Sequence, residues 1–146
     1  IPTNFYKGTW GHVLDENGDF EIWAAFQTIS CSNEDLNTDG ILDVGEDVNG
    51  DLELTPGNVV AATGEVITDA QGRAVIDILY PQSVAQWVDI QLIVSTKVTG
   101  TESSTQSTFT LPVSAQDVND EFVTPPVSNT NLRSPYGSTG NCSTID

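Results

Sequence analysis

Methionine is absent from this chain, histidine occurs once, at His12, and only four of the 146 residues are Lys or Arg. Each scarcity excludes something. With 21 acidic side chains the net charge is −17, so the basic patches that nucleic acid and anionic membrane surfaces require are missing. One histidine and two cysteines, Cys31 and Cys142, are too few and too far apart in the chain for a zinc site. There is no Gly-x-Ser-x-Gly and neither cysteine has a local base, so nucleophilic catalysis has no visible machinery and the chain reads as a non-enzyme. No apolar run approaches the roughly 20 residues that cross a bilayer. No apolar period of 3.6 extends beyond about two turns, which removes helices as the source of a core. A chain without Met, opening on Ile1-Pro2-Thr3, is expected to have been preceded by a removed leader or a longer polypeptide.

What is present suffices for one domain, 1–146. Hydrophobic residues make up 38%, with three Trp, three Tyr and five Phe, a content that a disordered acidic chain lacks. The pattern is strand and turn. Asn4 to Trp10 is short and aromatic, Glu16-Asn17-Gly18-Asp19 is a tight-turn signal, and Phe20, Ile22, Ala24, Phe26 and Thr28 follow on alternate positions. Asp15, Asn17 and Asp19 superficially resemble a cation loop, but the hairpin alone accounts for them. Val59 to Thr68 and Ala74 to Tyr80 flank the turn Asp69 to Gly72 as a second hairpin. A short connection at Pro81–Gln86, possessing room for one helical turn, leads to a strand over Trp87–Thr99 that pairs with Ser103–Leu111. Six or seven antiparallel strands in this length close most economically as a two-sheet sandwich. The expected fold is therefore all-β: an antiparallel two-sheet β-sandwich with an acidic insertion at 33–58 and a long irregular C-terminal tail at 113–146.

The insertion carries the strongest signal. Residues 34–45 and 46–57 repeat a twelve-residue acidic unit in which Glu, Asp, Asn, Asp, Leu and Gly recur in register, and eight of the 21 carboxylates lie between Glu34 and Glu53. Asp35, Asn37, Asp39, Gly40, Ile41, Asp43 and Glu46 occupy positions 1, 3, 5, 6, 7, 9 and 12 of an EF-hand-type loop, with Ile41 offering its carbonyl. The spacing suits Ca²⁺, which takes 6–8 oxygens, and dense like charges repel unless a cation sits among them. In the second unit Asp47, Asn49 and Asp51 start correctly and Glu53 is counted with them, but Leu52 stands where Gly is expected and Asn58 where the closing Glu is expected. One calcium site is thus expected on the first unit and a less regular one on the second.

Cys31 lies directly before the loop and Cys142 near the C-terminus. Two buried free thiols are one reading; an extracellular calcium loop and an even cysteine count favour a disulfide that pins the tail, and with it an oxidising compartment.

The stretch Thr68-Asp-Ala-Gln-Gly-Arg-Ala-Val-Ile-Asp-Ile-Leu-Tyr80 resembles the turn and strand of bacterial Ig-like domains of the invasin and intimin group, over roughly residues 58–111. Separately, the acidic block is similar to the calcium loops of dockerins and thrombospondin type 3 repeats, which use Asp-x-Asn-x-Asp-Gly without a full EF-hand. Together the resemblances imply a module of a secreted or surface-anchored bacterial protein, partnered by calcium and by other domains or copies of its parent.

Three functions are carried forward. The first is a calcium-stabilised structural or adhesion module. The second is a filament subunit assembled by strand addition. The third is a glycan-binding module that stacks sugar on an exposed member of Trp10, Trp23 and Trp87, the face opposite Phe20, Ile22 and Phe26 leaving Trp23 a candidate.

Overall fold

The computed structural model describes residues 1–98, 100–127 and 131–144; the expected strand end at Thr99 and the tail positions 128–130 and 145–146 lie outside the described residues. The described chain is all-β and antiparallel. Strands β1 (Pro2–Leu14), β2 (Phe20–Ser32), β5 (Val88–Val98) and β6 (Thr101–Thr110) form one sheet in the order β2-β1-β5-β6, and β3 (Ala61–Ala62) with β4 (Ile78–Leu79) forms a second, two-stranded one.

The first hairpin forms where Asn17-Gly18 calls for it. The Asp15 N–H donates to the Asp19 carbonyl at 2.8 Å, and the Asp15 carboxylate accepts from the N–H groups of Asn17 and Asp19. Those bonds favour the ionised form and hold the Asp15 carboxyl below its ordinary value, the Asp19 bond contributing most. A register shift between Lys7 and Gly8 changes which β1 residues face inward, from Phe5 and Lys7 to Gly8 and Trp10, all buried. On β2 it is Trp23, Ala25, Ile29 and Cys31 that pack inward, while Ile22 and Phe26 are exposed. The expected inward face of β2, Phe20, Ile22 and Phe26, is therefore corrected. Apolar residues occupy both faces of this strand, so alternation alone could not choose between them.

Two adjoining clusters make the core. Phe5, Cys31, Val84, Val88, Ile90 and Leu111 form one; Trp10, Trp87 and Val118 form the other, with the two indole rings edge to face at 5.7 Å. A 3₁₀ turn at Gln82–Val84 occupies the expected short connection and buries Val84. Against this sheet lie the β3–β4 ribbon and irregular chain, with Val59, Val60, Ile78 and Tyr80 packed on the first cluster. In that second hairpin the Asp69–Arg73 turn closes as expected, yet its regular ladder is limited to two residue pairs. Ile67 and Val75, at 92% and 81% exposure, find nothing to pack on, and a two-stranded ribbon is marginal without burial of one face.

The tail is irregular and closely attached. Where β5 leaves β1, the tail takes over the edge: Gly8 donates to Gly137, Trp10 to Leu132, and Ser134 donates back to Gly8. A disulfide joins Cys31 to Cys142 across 111 residues of sequence, and no free cysteine remains.

Candidate metal centre

The acidic insertion leaves β2 at Asn33 and returns at Val59, and the two halves of it share one hydrogen-bonding plan. In the first unit the Asp35 carboxylate accepts from the N–H groups of Asp39 and Gly40; in the second, Asp47 accepts from Asp51 and Leu52. Asn37 Oδ1 accepts from Asp39 as Asn49 Oδ1 does from Asp51, and Asp39 accepts from Ile41 as Asp51 does from Glu53. The Asn37 amide bridges Asp39 and Asp43, and the Asn49 amide bridges Asp51 and Thr55. Every equivalence runs at a spacing of twelve, so the sequence repeat is a structural one.

Backbone conformation repeats too. Thr38 and Gly50 hold φ of 61° and 80° at the fourth position, and Gly40 and Leu52 hold 76° and 66° at the sixth. Leu52 therefore adopts the left-handed turn for which glycine was expected, at the modest cost a non-glycine residue incurs there. Its side chain is 79% exposed, so the turn needs no room inside.

The closing glutamates are exchanged between the units. Glu46, 4% exposed, accepts from the N–H groups of Leu36 and Asp43 in the first loop. Its counterpart in the second loop is Glu34, 3% exposed, which accepts from Val48, Asn49 and Thr55. The main chain repeats the match: Glu46 N–H donates to the Asp43 carbonyl and Glu34 N–H to the Thr55 carbonyl. Asn58, twelfth when the loop is counted from Asp47, is not the closing group; a carboxylate that precedes the first loop does that work.

Among the described residues one set of three carboxylates is gathered, Glu34, Asp47 and Asp51, with an oxygen from each within 4.8 Å of the others. This set could hold a metal ion. The Glu53 side chain is exposed and stands outside it. Asp35, Asn37, Asp39, Asp43 and Glu46 line the first loop without being gathered to that distance, and the Ile41 side chain is 62% exposed. The donor set is wholly oxygen, which suits a hard cation such as Ca²⁺ or Mg²⁺ and not a soft one. Glu34 and Glu46 are positioned by backbone N–H groups, so their orientation does not depend on the ion.

Neither Trp10 nor Trp87 is at the surface, at 4% and 0% exposure. Trp23 is half-buried, donates its indole N–H to the Asp120 carbonyl and lies 4.1 Å from His12 between ring centres. His12 itself is exposed at the hairpin and contacts the Phe20 ring as well.

Comparison with family models, with curated proteins and with solved structures finds no match to this chain. Among the described residues no helix is long and apolar enough to cross a membrane, and the disulfide is compatible with an oxidising, extracellular location.

Proposed function

We propose that this chain is a calcium-stabilised structural or adhesion module of a secreted or surface protein, related in kind to bacterial Ig-like domains. One ion is held by Asp35, Asn37, Asp39, Asp43, Glu46 and the Ile41 carbonyl, and a second by Asp47, Asn49, Asp51 and Glu34. The observation that carries this reading is the exchange of two buried glutamates between loops whose hydrogen bonds repeat residue by residue. A solvated acidic loop has no reason to bury Glu34 and Glu46 in equivalent places. No Lys or Arg lies between residues 34 and 57, so a bound cation is the natural counter-charge to these carboxylates.

The function of such a site is rigidity. At a calcium concentration about 1,000 times the dissociation constant, one ion adds roughly 4 kcal/mol to the folded state, which in a domain of this size raises the melting temperature by about 10 °C. A thermal melt in excess EDTA against one in millimolar calcium, with magnesium as control, tests it. A rise specific to calcium is expected; equal melts in all three would refute the assignment.

A second reading, strand addition between molecules, draws on a different observation. β5 pairs with β6 along its length, but on its other edge its backbone bonds the N-terminal strand only as far as Gln91, which pairs with Ile1. Beyond Gln91 a cavity of about 430 Å³ separates Leu92–Lys97 from Ala62–Val66. An open strand edge is a template for another extended chain. Filaments in negative-stain electron micrographs are the expected sign, and a monodisperse monomer at high concentration would remove this reading.

A further inference from the structure

The tail docks against the second acidic loop; residues 132–137 are bonded to β1, and the disulfide pins the segment beyond them. A chamber of about 90 Å³ is lined by Phe5, Lys7, Asn49, Asp51, Tyr136 and Cys142 among others, so loop and tail form facing walls of one space. A larger cavity of about 300 Å³ has Cys31 and Cys142 on its wall together with both closing glutamates, Glu34 and Glu46. Tyr136 packs its ring 5.1 Å from Phe5, and its buried hydroxyl has no hydrogen-bond partner among the described residues.

Lys7 ties the arrangement together. Its side chain is 1% exposed, and its ammonium donates to Thr139 Oγ1 at 3.0 Å, the Asn141 carbonyl at 3.0 Å and the Thr144 carbonyl at 2.7 Å. All three oxygens belong to the segment that Cys142 anchors. A buried cation needs acceptors. While that segment is in place its oxygens serve; once it loosens, the anionic acceptors sharing the chamber with Lys7 are those of the second loop.

We propose that the Cys31–Cys142 disulfide is a redox control on the calcium site: with the bond intact calcium is held tightly, and reduction loosens the 139–144 segment and weakens calcium binding. The proposal rests on the calcium reading above and adds its regulation. Two effects act in one direction. The second loop loses the wall formed by Cys142, and Lys7 becomes an internal competitor for Asp51. The step itself is thiol–disulfide exchange with a dithiol: its thiolate attacks the half-buried Cys142 sulfur, Cys31 being 2% exposed, and displaces the Cys31 thiolate. The dithiol's second sulfur then closes on the mixed disulfide, so two electrons and two protons pass from the dithiol to Cys31 and Cys142. Because coupling between two events is reciprocal, bound calcium must in turn oppose reduction.

The experiment uses the full chain. Calcium is titrated calorimetrically into the oxidised protein and into protein reduced with dithiothreitol, with circular dichroism to verify that the reduced chain is folded. Coupling of ordinary strength raises the dissociation constant about tenfold on reduction. Should the reduced chain unfold, the native protein still answers: the rate of disulfide reduction by dithiothreitol is compared in calcium, magnesium and EDTA, and a slowing of about tenfold confined to calcium is expected. Lys7→Met should shrink the difference between the redox states. Equal affinities in two folded redox states, or equal reduction rates with calcium shown calorimetrically to be bound, would overturn the redox control alone. Absence of any calcium heat from the oxidised protein would overturn the calcium reading and this proposal with it.

Discussion

Glu34 accepts three backbone N–H groups from a loop that begins thirteen residues after it, and this gives a sharp contrast between two substitutions. Glu34→Gln leaves size and shape but removes the charge and sets an amide N–H against an N–H donor; it should cost about 1–3 kcal/mol without calcium and abolish most of the calcium-dependent gain in melting temperature. Asn58→Ala should change neither, although Asn58 holds the twelfth position counted from Asp47. Paired melts in EDTA and calcium decide, and the reverse ranking would mean that the exchange of glutamates is wrong. The hydrogen-bond plan of the first loop was legible because its residues run in one unbroken stretch. The second was not, because its closing group lies on the far side of the first loop; the available signal was that Glu34 and Glu46 open the two units in register, so that if Glu46 closes one loop, Glu34 is left for the other. Asp15 carries a second residue-scale expectation. Its carboxyl is held below its ordinary value of 3.8 by backbone N–H groups of the hairpin turn, so its contribution is fully present above that value and lost as pH falls through the lower folded one. An NMR titration should place its midpoint below those of unstructured aspartates, and a midpoint at the ordinary value would show that the turn does not hold the charge.

The strands were legible where a turn signal and alternation coincide, and burial is not the measure, since eight of the ten β6 residues are exposed. The β1–β2 hairpin and the β5–β6 pairing follow the alternation and turn signals, since a turn residue and a buried face specify register together. The hairpin around Asp69 was legible only at its turn, because β-branched residues make a ladder regular when something packs on them, and Ile67 and Val75 are solvent-exposed. Gly8 shows the opposite limit, a requirement that alternation does not reveal. It sits at the register shift between β1 and β2, and a Cβ there would lie 2.1 Å from the Phe26 carbonyl oxygen and 3.0 Å from the Trp87 ring. Backbone cannot yield as a flexible side chain can, so Gly8→Ala should cost about 3 kcal/mol. Gly18→Ala provides the comparison: nothing lies within 4 Å of a Cβ at Gly18, so its φ of +87° leaves only a backbone cost of about 1 kcal/mol. Chemical denaturation of the two variants reads the difference, and equal losses would show that crowding at the register shift is not what selects glycine.

At the scale of the whole molecule the exchanged glutamates make the two loops mechanically dependent. Glu34 closes the second loop and is followed directly by Asp35, the first residue of the first loop; Glu46 closes the first loop and is followed directly by Asp47, the first residue of the second. Fixing either loop therefore fixes the backbone that carries the opening ligand of one and the closing ligand of the other. If both loops take calcium as proposed, the conformational cost of ordering that shared backbone is met once, by the first ion, and the second binds a frame already set. Electrostatics works against this, since the first divalent ion lowers the negative potential of a chain at −17 that draws the second, so the shared frame must outweigh that loss. Binding of two ions per chain with positive cooperativity is the expected outcome. Asp39→Ala tests it, because Asp39 touches only first-loop partners in the hydrogen-bond plan. Independent loops would lose one calorimetric binding event and keep the other unchanged. Coupled loops should show the surviving event weakened by at least about fivefold, the lower end of ordinary coupling between linked sites, and an unchanged second event would show that the exchange of glutamates carries no energetic coupling.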